Sequence, residues 1–237
     1  MGREDRRGKR KSREQSRKRR VPELGYYYIV TDTDQTEKNY LEGLRDSIPE
    51  VLKGKIVIKV TKSRTVDLVK TCKEGASLYP QYSEPWIVFD RDQVKDFDGI
   101  IKNAEQSGIH AGWSNPCLEI WLYAYFGSMP NIQDSVSCCN RFAIEYERRT
   151  GQKYDKAEKD LYKKLCEFGN EENAIKIAQQ KRKQCIENGL LIPSEMIPCT
   201  MVDLLINEVT NKFLNNENRS ESEKIKTDIR GGSNYDN

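Results

Sequence analysis

Apolar residues along the chain form short runs separated by segments of helical spacing. The runs within 24–31 and 85–89 are continuous and end abruptly in acidic residues, which is typical of strands buried on both faces. Residues 55–61 instead alternate lysine with isoleucine or valine, which indicates a half-buried strand. Residues 108–113 form a fourth, short strand candidate. The pattern therefore predicts several short strands rather than an all-helical protein.

Segments of helical periodicity lie between these strands. One begins at Thr36, and others cover 66–79 and 98–106. Strands that alternate with helices predict an α/β protein with a mostly parallel sheet and right-handed crossovers. In that arrangement the first and third strands can be neighbours in the sheet.

The second half of the chain is predicted to be helical. Asn115 followed by Pro116 fits a helix N-cap and first helical residue, and the following helix through Phe126 is apolar nearly all round. Beyond Pro130 the predicted helices are 134–149, 155–168, 171–187 and 201–214. We thus expect an α/β core over 21–130 and a helical C-terminal part over 131–214 packed on it.

Charge distinguishes the ends of the chain from its body. Residues 1–20 hold 11 Lys or Arg and three acidic residues, whereas the whole chain carries +3. This arm is expected to be disordered, either docking on phosphate backbones or serving as a solubilising tail. Residues 215–237 are polar without apolar rhythm, and we expect a disordered tail.

Composition excludes several classes of protein. No apolar stretch is long enough for a membrane helix, and no secretory signal is present at the N-terminus, so a cytoplasmic protein is expected. Seven scattered cysteines argue against a disulfide framework; Cys117, Cys138 and Cys139 are interpreted as small buried hydrophobes on helices. His110 is the only histidine, interpreted as a surface or strand-end residue, which excludes a His-rich zinc site or an HNH-type centre.

Acidic residues follow two of the predicted strands. Asp90 and Asp92 come after the third strand and could share a divalent cation, while Asp32 follows the first strand and Glu37 lies just inside the next helix. Glu119 is the one charge in its buried helix and requires a specific partner. On spacing alone, that partner is a core cation, backbone amides or a metal ion.

The order and spacing of these segments resemble the RloB family of prokaryotic antiviral proteins. The resemblance rests on residues 26–31, 36–40, 86–92 and 114–122, with 154–156 and 198–202 as C-terminal landmarks. It implies a Toprim-like core and a metal-dependent nuclease of DNA or RNA, often encoded beside an ATPase of the ABC or overcoming-lysogenization-defect type. Relatives usually have Glu-Gly after the first strand, where this chain has Asp32-Thr33.

The resemblance also implies roles for individual residues. The catalytic set comprises Asp32, Glu37, Asp90, Asp92 and Lys156. The ligands of two Mg²⁺ or Mn²⁺ ions would be Asp32, Glu37, Asp90, Asp92 and Glu119. The substrate contacts would be Asn115, Arg91 and Lys38. Carboxylates suit these hard cations, and two ions would stabilise both the attacking water and the leaving oxygen of a phosphodiester.

Two other hypotheses remain open at this point. The Asp32-Thr33 departure is compatible with a non-catalytic subunit that binds the ATPase or a nucleic acid. Asp90-Arg91-Asp92 superficially resembles the Asp-x-Asp of haloacid-dehalogenase phosphotransferases, but in that family the nucleophilic Asp follows the first strand and here it follows the third.

Overall fold

A five-stranded sheet with the order β2-β1-β3-β4-β5 forms the centre of the molecule. In the computed structural model, which describes residues 26–61, 64–79, 81–92 and 94–211, strands β1 to β4 are parallel and β5 pairs antiparallel with β4. The strands are β1 (Tyr27–Thr31), β2 (Ile56–Val60), β3 (Glu84–Asp90), β4 (His110–Asn115) and β5 (Cys199–Thr200). The predicted α/β class is confirmed, as is the pairing of the first and third strands.

Helices connect these strands and build most of the second half of the chain. Their bounds are α1 (Thr36–Ser47), α2 (Glu50–Lys53), α3 (Leu68–Leu78), α4 (Phe97–Gln106), α5 (Glu119–Tyr125), α6 (Ser135–Thr150), α7 (Leu161–Phe168), α8 (Glu171–Glu187) and α9, described over 202–211. Across the described ranges, no helix combines the length and apolar character needed to cross a membrane. The arrangement is consistent with a Toprim-like α/β fold. The predicted arm and tail, 1–20 and 215–237, lie outside the described residues.

The inner strands owe their continuous apolar runs to burial on both faces. Val30 and Phe89 belong to a core cluster that also contains Leu68 of α3 and Ile100 of α4. Ile29, which points to the opposite face of β1, is also fully buried. By contrast, β2 lies at the sheet edge and is only partly buried, as its alternating sequence predicts.

The structure corrects the predicted starts of two helices. Asn115 is the last residue of β4 and pairs with Cys199 of β5, so it does not cap a helix, and α5 begins only at Glu119. The helix predicted from Asp155 begins at Leu161. Its expected first turn is replaced by a local turn in which the Asp155 carboxylate accepts a hydrogen bond from the backbone amide of Ala157 at 2.9 Å.

The histidine and most cysteines lie as predicted, but Cys117 precedes α5 instead of lying on a helix. All seven cysteines are free, which agrees with the absence of a disulfide framework. His110 is exposed at the start of β4, stacks on Trp86 and lies 3.9 Å from Glu84. Because β4 runs from His110 to Asn115, the histidine is at the opposite end of this strand from the carboxyl edge of the sheet.

Candidate active site

The carboxyl ends of β1 and β3 place two aspartates at one edge of the sheet. Asp32 follows directly after β1, and Asp90 is the last residue of the neighbouring β3. Helix α1 then begins at Thr36 and carries Glu37 in its first turn, while α5 begins at Glu119. Ligands of open α/β sheets bind at this edge, outside the carboxyl ends of the strands.

These four carboxylates line one cleft of about 800 Å³. The described residues that line it are Asp32, Thr33, Asp34, Gln35, Thr36, Glu37, Arg64, Thr65, Val66, Asp90, Asp92, Val94, Lys95, Glu119 and Lys156. The cleft therefore combines a carboxylate cluster with three cationic side chains, an arrangement suited to a metal ion and an anionic ligand together.

Asp90 is buried close to two other carboxylates, and both its burial and their charges oppose its ionisation. Burial raises the pKa of Asp90 well above its usual value, and the charges of Glu37 and Glu119 raise it further. The backbone amide of Leu118 hydrogen-bonds to Asp90 and partly offsets this effect. The Oδ1 atom of Asp90 is buried and has no hydrogen-bond partner among the described residues. A buried, unpaired carboxylate oxygen is a candidate ligand position.

Glu37 is buried beside Asp90 and shares its electrostatic environment. Burial raises the pKa of Glu37, and the nearby charges of Asp32 and Glu119 add to the rise. The Thr33 hydroxyl donates a hydrogen bond to Glu37 Oε2, which opposes the rise. Thr33, the second residue of the Asp32-Thr33 pair, therefore supplies a hydrogen-bond donor inside the cleft.

Asp32 lies beside the β1–α1 connection and is held by a residue far away in sequence. The Thr65 hydroxyl donates a 2.7 Å hydrogen bond to Asp32 Oδ2, whereas Oδ1 is buried without a partner in the described part of the chain. Burial raises the pKa of Asp32, although the Thr65 hydrogen bond opposes this. The shorter aspartate thus still presents one unpaired oxygen, as Asp90 does.

Glu119 has the specific partner that its burial requires. Lys156 Nζ lies 3.4 Å from Glu119 Oε1, and the Tyr154 hydroxyl donates to the same oxygen at 3.1 Å. Burial alone would lower the pKa of Lys156, but the charge of Glu119 and the contact with Cys139 together raise it above its usual value. The Lys156 side chain is half exposed and lines the cleft, so it remains positively charged next to the carboxylates.

Asp92 lies at the exposed rim of the cleft. β3 ends at Asp90, and Asp92 adopts a positive φ of 23°, so the side-chain alternation of a strand does not extend to it. The Ser135 hydroxyl at the start of α6 donates a hydrogen bond to Asp92 Oδ1. Asp92 is therefore placed at the same cleft as Asp90 but in a more solvated position.

The residues expected to contact substrate do not line this cleft. Asn115 is fully buried and its amide donates to the carbonyls of Pro193 and Ser194 at 3.2 and 3.3 Å. Lys38 lies 4.0 Å from Glu42 on the exposed face of α1. Neither these two nor Arg91 is among the described lining residues.

Other residues line the cleft that the sequence did not single out. Arg64 and Lys95 add positive charge, and Thr65 binds Asp32. Arg64 and Thr65 lie between β2 and α3, and Lys95 between β3 and α4. The sequence feature that could have identified them is their place in the loops that follow β2 and β3, because loops after parallel strands reach the carboxyl edge of the sheet.

We expect Asp90→Asn to stabilise the metal-free protein at neutral pH. A carboxyl group whose pKa is raised by folding stabilises the fold below its unfolded pKa, and this contribution is lost as pH rises through the folded pKa. The variant should therefore gain on the order of 1 kcal/mol, or roughly 2–4 °C in Tm, at pH 7 in EDTA. The gain should shrink as the pH falls toward about 4.

Differential scanning calorimetry of both proteins at several pH values measures this effect. Asp46→Asn is the matched control, because Asp46 is an exposed aspartate on α1 and its replacement should leave Tm nearly unchanged. A lower Tm for Asp90→Asn than for the native protein at pH 7 in EDTA would contradict the electrostatic account.

The fold and this cleft define an α/β protein with a carboxylate cluster at the carboxyl edge of a mostly parallel sheet. The chain belongs to the RloB family: the family model described as RloB-like protein matches residues 27–209. The match covers both the sheet and the helices of the C-terminal half, in agreement with the resemblance seen in the sequence. No curated protein and no solved structure was found to match the chain.

Proposed function

We propose that this protein is a metal-dependent nuclease that hydrolyses phosphodiester bonds of DNA or RNA in prokaryotic antiviral defence, with a partner ATPase. The observation that carries the proposal is the convergence of Asp32, Glu37, Asp90 and Glu119 on one cleft, with two carboxylate oxygens buried and unpaired among the described residues. Maintaining such a cluster costs stability unless a cation offsets the repulsion. Defence and the ATPase partner are what the resemblance to the RloB family implies.

The donor set fits Mg²⁺ or Mn²⁺. All four residues offer carboxylate oxygens, the ligands that these hard cations prefer, and the orphaned oxygens of Asp32 and Asp90 are available for them. Asp92 would add an exposed carboxylate at the rim. When bound, such ions polarise the phosphoryl group and generate a nucleophilic water near neutral pH.

The cationic residues of the cleft suit an anionic substrate. Lys156, Lys95 and Arg64 line the same space as the carboxylates, so a phosphate group entering the cleft meets positive charge. Lys156 is held in place by Glu119 and can counter charge that develops on the phosphoryl oxygens. The sole histidine lies at the other end of β4, so His110 is not placed to act as a general base here.

A non-catalytic interaction subunit is the second candidate function. It is favoured by the internal partners of three carboxylates: Thr65 binds Asp32, Thr33 binds Glu37, and Lys156 pairs with Glu119. A cleft whose carboxylates are hydrogen-bonded or ion-paired within the protein in this way could stay folded without a bound metal. The two candidates differ in whether divalent ions change what the protein does to nucleic acid.

The test is cleavage of DNA and RNA by the purified protein, alone and with an ATPase encoded beside it. We expect cleavage with Mg²⁺ or Mn²⁺, its complete loss in excess EDTA, and its recovery when the metal is restored. The products are followed by gel electrophoresis of end-labelled single- and double-stranded substrates. If neither nucleic acid is cleaved in any metal with the partner present, the interaction-subunit reading replaces the nuclease.

A further inference from the structure

Two cysteine thiols lie behind Glu119, outside the residues that line the acidic cleft. Cys117 precedes α5 and is buried, and Cys139 lies half-buried on α6. Their sulfur atoms are 3.9 Å apart, and both lie with a carboxylate oxygen of Glu119 in a group whose atoms are all within 4.8 Å of one another. Both thiols were interpreted from the sequence as apolar fillers on helices, yet Cys117 lies outside a helix and the three side chains converge.

We propose that Cys117, Cys139 and Glu119 form a second metal site that binds a thiophilic divalent cation such as Zn²⁺. Two thiolates bound tetrahedrally to zinc at about 2.3 Å lie about 3.8 Å apart, which is close to the separation of the two sulfur atoms. A carboxylate oxygen would lie about 3.5 Å from each sulfur, and the three ligand atoms are all within 4.8 Å of one another, so a shift of at most about 1.3 Å completes the three-ligand group. A water molecule would complete the tetrahedron.

The charges around these residues balance in both states. Without metal, the protonated thiols are neutral and Glu119 is paired with Lys156. Zn²⁺ binding releases two thiol protons to solvent, and the resulting charges of two thiolates, one carboxylate, Lys156 and the cation again sum to zero. The buried site therefore gains no net charge when the metal enters, which removes the main cost of binding at this depth.

The hydrogen bonds of Glu119 orient it for this role. Tyr154 and Lys156 both contact Oε1, which fixes the carboxylate in place beside the two thiols. Tyr154 is itself packed against the rings of Phe142 and Tyr146. A ligand held by a packed neighbour in this way is typical of metal sites.

The site is chemically distinct from the acidic cleft. Sulfur ligands select Zn²⁺, Cd²⁺ or Co²⁺, whereas the oxygen ligands of Asp32, Glu37 and Asp90 select Mg²⁺ or Mn²⁺. Glu119 lies between the two groups and is the one residue that both can use. The proposal does not depend on nuclease activity.

The test is titration of the full-length reduced protein with Co²⁺ alone. The readout is the thiolate-to-cobalt charge-transfer absorption in the near ultraviolet. We expect one equivalent of Co²⁺ to produce the band, Zn²⁺ to displace it, and Cys117→Ser or Cys139→Ser to abolish it. Cys166→Ser, which removes an exposed thiol on α7, and Asp90→Asn should both retain it.

A second measurement keeps the proposal testable if a serine variant fails to fold. Stoichiometric Zn²⁺ should protect Cys139 of the native protein from alkylation while leaving Cys166 reactive, as determined by peptide mass spectrometry. A native protein that gives no charge-transfer band, or whose Cys139 is alkylated equally with and without Zn²⁺, would overturn the proposal. A band that survives both Cys117→Ser and Cys139→Ser would overturn it too.

Discussion

Asp90→Asn should reduce metal-dependent cleavage by at least about 100-fold while the protein stays folded. Asp90 ends β3 close to the charges of Glu37 and Glu119, and it contributes one of the two cleft carboxylate oxygens that are buried without a hydrogen-bond partner among the described residues. Losing only an outer hydrogen-bond partner of a metal ligand typically costs 10–100-fold in affinity or activity, and losing a ligand should cost more. The amide keeps the size of the side chain, so the change is one of charge and ligand strength.

The measurement is the initial rate of cleavage at saturating and at limiting metal. If Asp90 is a ligand, part of the lost rate should return at high Mn²⁺, because a weakened site still fills by mass action. Asp46→Asn, on the exposed surface of α1, is the matched control and should cleave at the native rate. Equal rates for Asp90→Asn and the native protein would exclude Asp90 from the site.

Asp203→Ala should lower the free energy of unfolding by about 3–5 kcal/mol, or roughly 10 °C in Tm. Asp203 is fully buried at the start of α9 and accepts two hydrogen bonds from Arg182 of α8, each 2.9 Å long. Arg182 also donates to the carbonyl of Thr200 in β5 at 3.0 Å. Removing the carboxylate leaves a largely buried guanidinium without its counter-charge, the costly way to break such a pair.

Chemical denaturation of Asp203→Ala and the native protein gives this difference directly. Glu187→Ala is the matched control on α8, the helix of Arg182, because Glu187 pairs with Lys183 at 3.6 Å while both side chains are exposed. It should change stability by less than about 0.5 kcal/mol. A loss below 1 kcal/mol for Asp203→Ala would mean that the Arg182 pair does not hold β5 and α9 in place.

The sheet and the convergence of its acidic residues were predictable because parallel strands place their carboxyl ends together. Buried apolar runs identified β1 and β3, and acids directly after them had to meet at one edge. β5 was harder to predict, since it has only two residues and no period to detect. Its pairing with Asn115 extends β4, which is why the expected helix cap lies in a strand instead.

Side-chain direction accounts for most of the differences between the predicted site and the site in the structure. Lys38 is the neighbour of Glu37 in α1, but a helix turns adjacent residues about 100° apart, so only Glu37 faces the cleft. The positive φ at Asp92 interrupts the strand alternation that was expected to pair it with Asp90. The Glu119–Tyr154 contact joins residues 35 apart in the chain, so no pattern of neighbouring residues in the sequence could predict it.

Isothermal calorimetry of Mn²⁺ binding at pH 7 decides whether the acidic cleft is a divalent-metal site. We expect saturable binding of one or two Mn²⁺ ions to the native protein, with the affinity lowered at least about tenfold by Glu37→Gln or Asp90→Asn and unchanged by Asp46→Asn. If the native protein binds no Mn²⁺, or binds it equally well after either cleft substitution, the cleft is not a metal site.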